Sequence, residues 1–164
     1  MILSLGSCSQ KGAAANTSML LLAAVVPGRC STSKEKAEAE KQLSILVVED
    51  DPINALAVSK LLEKCGHQVH TAHNGQEAIE LAKVRAFDFI FMDIEMPVMD
   101  GLQATKIIRS ASDWPCPAHI PIVAMTGHSM NGNKEQFLQA GMDAVLSKPF
   151  YVKELQSVIA SFIS

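Results

Sequence analysis

Five polar residues in this chain are of the types that bind a divalent cation or take part in phosphoryl transfer. They are Glu49, Asp50, Asp93, Thr126 and Lys148, and each stands at the end of a short apolar run. Carboxylate oxygens are suitable ligands for Mg²⁺, and a carboxylate nucleophile forms an acyl phosphate. An ammonium group and a hydroxyl stabilise the oxygens of a transferring phosphoryl group. If the apolar runs are neighbouring strands, these residues would form one site with Asp93 as the nucleophile.

Each of these residues also has an ordinary structural explanation. The acids Glu49 and Asp50, followed by Asp51 and Pro52, would suit the start of a helix, where carboxylates complement the dipole. The aspartate, threonine and lysine at the later strand ends would be loop residues or a helix cap. The coincidence of suitable residues at four strand ends favours the chemical interpretation.

The elements that would position these residues alternate regularly along the chain. The apolar run Ser44–Val48 is typical of a strand buried on both faces, four further segments are predicted as strands, and the segments between the strands show helical spacing. The predicted strands are Ser44–Val48, Gln68–Ala72, Asp88–Met92, Ile120–Met125 and Asp143–Ser147. The predicted helices run from Pro52 to Cys65, through Ala78–Ala82, over about 102–110 and 132–139, and from Val152 to Phe162, with Asn74–Gly75 as a turn.

Strict alternation of strands and helices predicts an α/β fold with a parallel sheet and helices on both faces. For five strands and five helices we predict a doubly wound sheet in the order 2-1-3-4-5. Ligands bind such sheets beyond the carboxyl ends of the strands, near the point where the strand order reverses. The order therefore predicts that strands 1, 3, 4 and 5 bring their terminal residues to one edge.

Residues 1–43 differ in composition from the remainder of the 164-residue chain. The first 34 residues contain three basic groups and no acid, whereas residues 35–164 contain 11 basic and 17 acidic groups. An acidic domain argues against direct nucleic-acid binding. The apolar run from Met19 to Val26 is too short to span a membrane, which takes about 20 residues. We expect residues 1–43 to be a poorly ordered extension and linker, with a targeting peptide or a mis-assigned start as alternatives, and residues 44–164 to be one domain.

The cysteines and histidines do not form a recognisable metal or disulfide pattern. The four cysteines show no C-x-x-C spacing, which favours a reduced, cytoplasmic location. His67, His70 and His73 are separated by odd intervals, which place neighbours on opposite faces of a strand. We therefore interpret the three histidines as surface residues.

Four segments, in this order and spacing, resemble the receiver domains of two-component response regulators and hybrid histidine kinases. The segments are ILVVEDDPIN, FMDIEMPVMDG, PIVAMTGHSM and DAVLSKPF, and the resemblance extends over about residues 44–163. It implies a flavodoxin-like fold. It also implies that Asp93 is the phosphoacceptor, that Thr126 is the switch hydroxyl, and that Lys148 contacts the phosphoryl group. A cis peptide bond between Lys148 and Pro149 is expected on the same basis.

The resemblance also implies a Mg²⁺ site and a departure from the usual switch. Asp50 would bind Mg²⁺ directly, Glu49 would act largely through water, and Asp93 and the backbone carbonyl of Glu95 would complete the protein ligands. Many members carry an aromatic residue three positions before the lysine, where this chain has Val145. We expect a switch that works without an aromatic rotamer change, or through another residue. Glu95 and His128 would flank the phosphoryl group and set the approach of the attacking water, unless they are simply solvated rim residues.

The expected partners follow from the same resemblance. A histidine kinase or a histidine phosphotransfer protein would donate the phosphoryl group, and the output would be altered contact with an unidentified protein target. No membrane span is expected, and the domain would catalyse only its own phosphorylation and dephosphorylation. Two alternatives remain: a degenerate receiver that serves only as a binding module, and a phosphatase of the haloacid dehalogenase type. The phosphatase normally carries its nucleophile on the first strand, whereas Asp93 follows the third.

Overall fold

The computed structural model describes residues 42–127 and 134–163, in which five strands alternate with five helices. The strands are β1 (Ser44–Val48), β2 (Gln68–Ala72), β3 (Phe89–Asp93), β4 (Ile122–Thr126) and β5 (Ala144–Ser147). The helices are α1 (Pro52–Lys64), α2 (Gly75–Val84), α3 (Gly101–Ser110), α4 (Lys134–Gln139) and α5 (Val152–Ile163). No helix in this part of the chain is both long and apolar enough to cross a membrane.

All five strands are parallel and lie in the order β2-β1-β3-β4-β5. This confirms the predicted strand order and the doubly wound architecture. The three central strands are buried along almost their whole length, as expected for a parallel sheet covered on both faces. The order reverses between β1 and β3, so the switch point lies at the carboxyl end of these two strands.

Side chains alternate between two apolar layers, one on each face of the sheet. On one face, Leu46, Ile90 and Ala124 belong to a cluster that includes buried residues of α2, α3 and α4. On the other, Val47 and Phe91 belong to a cluster that includes buried residues of α1 and α5. Because successive strand residues point to opposite faces, a residue's parity decides which helices it meets.

Three predicted strands begin later than expected, and the reason is clearest at β4. The prediction ran from Ile120 through Pro121, but proline has no N–H to donate to the sheet. The strand starts at Ile122, whose N–H donates to a carboxylate oxygen of Asp143 at 2.8 Å. The Asp143 N–H donates to the carbonyl of Ile122 at 2.9 Å, and β5 starts at the next residue, Ala144. Asp88 similarly precedes β3, which extends instead through Asp93.

Two local interpretations from the sequence were wrong. Gly75 is the first residue of α2, and Asn74 is its N-cap, because the Asn74 side chain accepts the N–H of Glu77 at 2.9 Å. His67 is buried rather than on the surface, with 8% exposure, and its N–H donates to the carbonyl of Leu62 in α1. The predictions for residues 1–41 and for His128 concern parts of the chain outside the described residues.

Candidate functional site

The strand register brings the predicted site residues to one edge of the sheet. Val48 pairs with Met92, so Glu49 and Asp93, each one residue further along, lie side by side. Thr126 pairs with Ser147, so Lys148 follows at the same edge. Glu49, Asp93 and Lys148 also share the parity of the strand residues that face α1 and α5. The prediction that separate strand ends converge is therefore confirmed by the geometry.

Lys148 lies between two buried carboxylates. Its Nζ donates to Oε2 of Glu49 at 2.5 Å and to Oδ2 of Asp93 at 2.6 Å. Glu49 is 1% exposed and Asp93 6%, so both acids depend on protein partners for compensation of their charge. Carboxylate oxygens of Glu49, Asp50 and Asp93 all lie within 4.8 Å of one another. Among the described residues, these three form the one group of acids, histidines and cysteines with the spacing of a metal site.

The charges of this group fit a divalent cation. Counted at formal charge, three carboxylates and one ammonium give −2, and two of the three acids are buried. Burial raises the pKa of Glu49 above its ordinary value, although hydrogen bonds from Lys148 and Asn54 oppose this effect. Burial alone lowers the pKa of Lys148, but its hydrogen bonds to Asp93 and Glu49 outweigh burial and raise it. The oxygen ligands are of the kind that Mg²⁺ prefers, so the residues present fit that ion.

The third acid after β1 has a different task. Oδ1 of Asp51 accepts the N–H groups of Ile53 at 2.8 Å and Asn54 at 3.0 Å, and Asp51 is therefore the N-cap of α1. Pro52 occupies the first turn, as predicted. The acidic run therefore contains both a helix cap and residues of the candidate metal site. Asp51 caps the helix, whereas Glu49 and Asp50 belong to the acidic cluster.

Asn54 belongs to the site, although sequence analysis did not single it out. Its Nδ2 donates to Oε1 of Glu49 at 3.1 Å, so the two Glu49 oxygens have different partners. The signal in the sequence was weak, because an asparagine in the first turn of a helix is ordinary. Asn54 contacts the site because α1 starts close to Glu49, which brings the first turn of the helix within hydrogen-bond distance of the Glu49 carboxylate.

Gly101 is a second residue whose importance the sequence did not reveal. A Cβ at this position would overlap the backbone carbonyl oxygen of Asp93 and approach Cγ of Met92 to 2.9 Å. The Gly101 N–H donates to the carbonyl of Ile94 at 3.2 Å, which holds the start of α3 against the end of β3. Glycine is required here by space, because the first residue of the helix touches the backbone of Asp93.

The remaining residues predicted from the sequence are Thr126, Glu95, Val145 and Pro149. Thr126 is the last residue of β4 and is buried, and its carbonyl accepts the N–H of Lys148 at 2.7 Å. The Glu95 N–H donates to Oδ1 of Asp93 at 3.3 Å, and the residue is exposed. Val145 is half-buried on the face that packs against α2, α3 and α4. The peptide bond between Lys148 and Pro149 is cis, as predicted.

Comparison with known proteins identifies the family. Residues 45–160 match the model of the response regulator receiver domain. The chain belongs to this family. Curated relatives of this receiver domain include Probable histidine kinase 1 of Oryza sativa subsp. indica, 34% identical over 163 residues. Hybrid signal transduction histidine kinase G of Dictyostelium discoideum is 44% identical over 127 residues.

The relatives are much longer than the region that this chain matches. The alignment with the rice kinase covers 82% of this chain and 16% of the kinase, and that with the Dictyostelium kinase covers 76% and 4%. The chain thus corresponds to a small part of each of these two relatives. It is related to histidine kinase receivers of two-component signalling systems.

Solved structures show the same fold. The receiver domain of a sensor histidine kinase from Pseudomonas aeruginosa has a TM-score of 0.67 and 36% identity, and the match covers 74% of this chain and 98% of that one. In that structure a magnesium ion is coordinated in the active-site cleft. The chemotaxis protein CheY4 of Vibrio cholerae has a TM-score of 0.68 and 30% identity, with coverage of 73% and 98%.

Proposed function

We propose that this receiver domain accepts a phosphoryl group on Asp93 from a phosphohistidine of a partner protein, with Mg²⁺ as its cofactor. The observation that carries the proposal is the position of Lys148, whose Nζ bridges Glu49 and Asp93 within the acidic cluster. A structural ion pair would need one carboxylate. Here one ammonium contacts two carboxylates and a third carboxylate, Asp50, lies within 4.8 Å of both, so the cluster is short of positive charge.

In the proposed reaction, a carboxylate oxygen of Asp93 forms a bond to phosphorus as the bond from phosphorus to the donor's imidazole nitrogen breaks. The nitrogen keeps the electron pair. When bound by Glu49, Asp50, Asp93 and the backbone carbonyl of Glu95, Mg²⁺ would supply positive charge for the phosphoryl oxygens. Lys148 provides the fixed positive charge of the chain itself, and the buried setting strengthens its effect. Asp93 is oriented before the reaction by the Lys148 Nζ at 2.6 Å and the Glu95 N–H at 3.3 Å.

An apolar rim beside the cluster supports a protein as the phosphoryl donor. A cavity of about 440 Å³ opens next to Glu49 and Lys148, and its other walls come from α1 and from Pro149 and Phe150. Two exposed apolar residues adjoin lining residues of the cavity in the sequence: Ile53, 76% exposed, precedes Asn54, and Tyr151, 75% exposed, follows Phe150. Exposed apolar surface beside a charged site is typical of a protein contact. We infer that a histidine kinase or histidine phosphotransfer protein docks here.

Phosphorylation would then change the surface of the domain. It replaces one negative charge on Asp93 with about two and adds strong acceptor oxygens. We propose that the Thr126 hydroxyl and Lys148 move toward these oxygens. Thr126 has the parity of Ala124, which pairs with Val145, so its movement would be felt in the layer against α2, α3 and α4. The output would be altered contact with a protein target, biased by this local charge change.

The organisation and location of the chain are part of the same proposal. We propose that residues 44–164 form the signalling domain and that residues 1–43 are an extension and linker. A cytoplasmic location would suit a phosphorelay. It is supported by the two cysteines of the described region, Cys65 and Cys116, which are both free.

Intact-protein mass spectrometry after incubation with acetyl phosphate and Mg²⁺ tests the proposal. We expect one phosphoryl group on the wild type, none on Asp93→Asn, and none when EDTA removes the metal. Asp113→Asn provides a matched control, because Asp113 is an exposed acid in the loop before β4. Absence of the adduct under conditions that label another receiver would contradict the proposal and favour a binding module without phosphoryl transfer.

A further inference from the structure

Asn54 holds an acid that the proposed reaction needs and that is almost completely buried. Glu49 is 1% exposed, and its Oε1 accepts a hydrogen bond from the Asn54 amide at 3.1 Å. A buried carboxylate that lost this donor would keep only the hydrogen bond from Lys148 among those described here. Unsatisfied buried acceptors are costly, so the Asn54 amide has an energetic as well as a geometric effect on Glu49.

The hydrogen bonds form a continuous chain from the surface to the phosphoacceptor. Asn54 donates to one oxygen of Glu49, and Lys148 donates to the other oxygen and to Asp93. Lys148 is therefore shared between two carboxylates, and its position depends on where the Glu49 carboxylate is held. If Glu49 rotated, its Oε2 would carry the ammonium with it or release it.

Asn54 is itself well fixed at the surface end of this chain. Its backbone N–H donates to the cap residue Asp51 at 3.0 Å, and it lies in the first turn of α1. Asn54 is exposed and also lines the 440 Å³ cavity with Glu49 and Lys148. Its amide is thus anchored by the helix on one side and reaches the buried acid on the other.

We propose that Asn54 is a positioning residue: it fixes the Glu49 carboxylate, and through it the division of Lys148 between Glu49 and Asp93. This inference rests on the proposed function, since it assigns Asn54 a role in preparing the same site for Mg²⁺. Hydrogen-bond partners behind metal-binding acids commonly have large effects on metal affinity. Lys148 still holds Glu49 when Asn54 is removed, so a moderate effect is expected here.

The test compares Asn54→Ala and Asn54→Gln with the wild type. The dissociation constant for Mg²⁺ would be measured by competition against Mn²⁺, followed by electron paramagnetic resonance. We expect Asn54→Ala to raise the dissociation constant about 3- to 10-fold, below the full effect of losing a hydrogen bond to a charged group. Asn54→Gln retains a carboxamide on a flexible stem and should restore at least half of the lost affinity on a logarithmic scale.

Gln76→Ala provides a matched control. Its Nε2 donates to a carboxylate oxygen of Glu80 at 3.1 Å, the same interaction at the same distance, on α2. Gln76→Ala should leave Mg²⁺ binding unchanged. An unchanged dissociation constant for Asn54→Ala, or an equal increase for Gln76→Ala, would overturn the positioning role. So would failure of Asn54→Gln to restore affinity.

A second measurement separates failure of this inference from failure of the proposed function. Each variant would be incubated with acetyl phosphate at limiting and at saturating Mg²⁺. We expect Asn54→Ala to be labelled more slowly than wild type at limiting Mg²⁺, with the difference narrowing at saturation. If the wild type is labelled but Asn54→Ala matches it at both concentrations, the positioning role is wrong and the proposed function stands. If the wild type is not labelled, the proposed function itself fails.

Discussion

The close approach of Gly101 to the backbone of Asp93, the proposed phosphoacceptor, leads to a prediction that can be compared among three glycines of the domain. Gly101 and Gly75 are both the first residue of a helix. Replacing either with alanine reduces the backbone entropy of the unfolded chain, which by itself would raise the free energy of unfolding by about 0.5–1 kcal/mol. They differ in what a methyl group would meet. At Gly101 it would overlap the carbonyl oxygen of Asp93, a backbone atom that moves only with β3. At Gly75 it would meet the Cβ of Ala104 and the Cγ and backbone oxygen of Met99, each at 2.9 Å, so no atom would be overlapped as closely as the Asp93 oxygen is at Gly101.

The net effects follow from these contacts. Overpacking costs about 1–3 kcal/mol and occasionally more, and Gly101→Ala should fall at the upper end because rigid backbone must shift. After subtraction of the entropic gain, we expect Gly101→Ala to lower the free energy of unfolding by about 2 kcal/mol or more. Gly75→Ala should lower it by about 1 kcal/mol. Gly127, where a Cβ would meet nothing within 4 Å, should tolerate alanine within about 0.5 kcal/mol.

Urea denaturation of the three alanine variants and the wild type would measure these differences. Labelling of Asp93 by acetyl phosphate, measured in conditions where each variant is folded, adds a functional readout. We expect only Gly101→Ala to be labelled markedly more slowly, because the displaced atom is the Asp93 carbonyl oxygen. If Gly101→Ala were as stable as Gly127→Ala, or if Gly75→Ala were the more damaging change, the argument from close approach would be refuted.

Three further predictions concern other parts of the domain. Lys148→Met leaves two buried carboxylates without their shared ammonium; we expect labelling by acetyl phosphate to slow about 100-fold, and an unchanged rate would contradict its role. The Arg109 guanidinium donates to three carbonyls and a carboxylate, which a lysine ammonium cannot replace. Urea denaturation should therefore show that Arg109→Lys lowers the free energy of unfolding by about 2 kcal/mol. Equal stability of the variant and the wild type would refute this. Cys116 is 1% exposed, and burial raises its pKa, so less thiolate forms at a given pH. Iodoacetamide should therefore alkylate Cys116 more slowly than the partly exposed Cys65, as measured by peptide mapping. Equal alkylation rates would be inconsistent with this packing.

The order of elements could be predicted because it depends on local patterns. Short strand segments that alternate with segments of helical spacing specify a parallel sheet. The right-handedness of the crossover connections then restricts the strand order. The strand starts were less predictable. The prediction ran through Pro121 because it followed hydrophobicity, whereas the start of β4 depends on whether a residue has an N–H to donate.

The sequence by itself also determined which residue types stand at the strand ends, and it therefore predicted the meeting of Glu49, Asp93 and Lys148. Residue types and parallel topology are sufficient for that inference, since carboxyl ends of neighbouring strands share an edge. The sequence did not determine how the three acids after β1 divide their tasks. Asp51 and Asp50 are chemically the same, and only the position at which α1 starts makes one a helix cap and leaves the other beside Asp93.

Only the tertiary structure decided the roles of Asn54 and Gly101. Both depend on distances between groups on different elements: the Asn54 amide meets Glu49 because α1 starts directly above the end of β1, and Gly101 touches Asp93 because α3 returns to the end of β3. The strength of a hydrogen bond or a steric contact depends on differences in distance of about a few tenths of an ångström. Periodicity and composition carry no information at that scale, so these contacts were decided when the helices packed against the sheet.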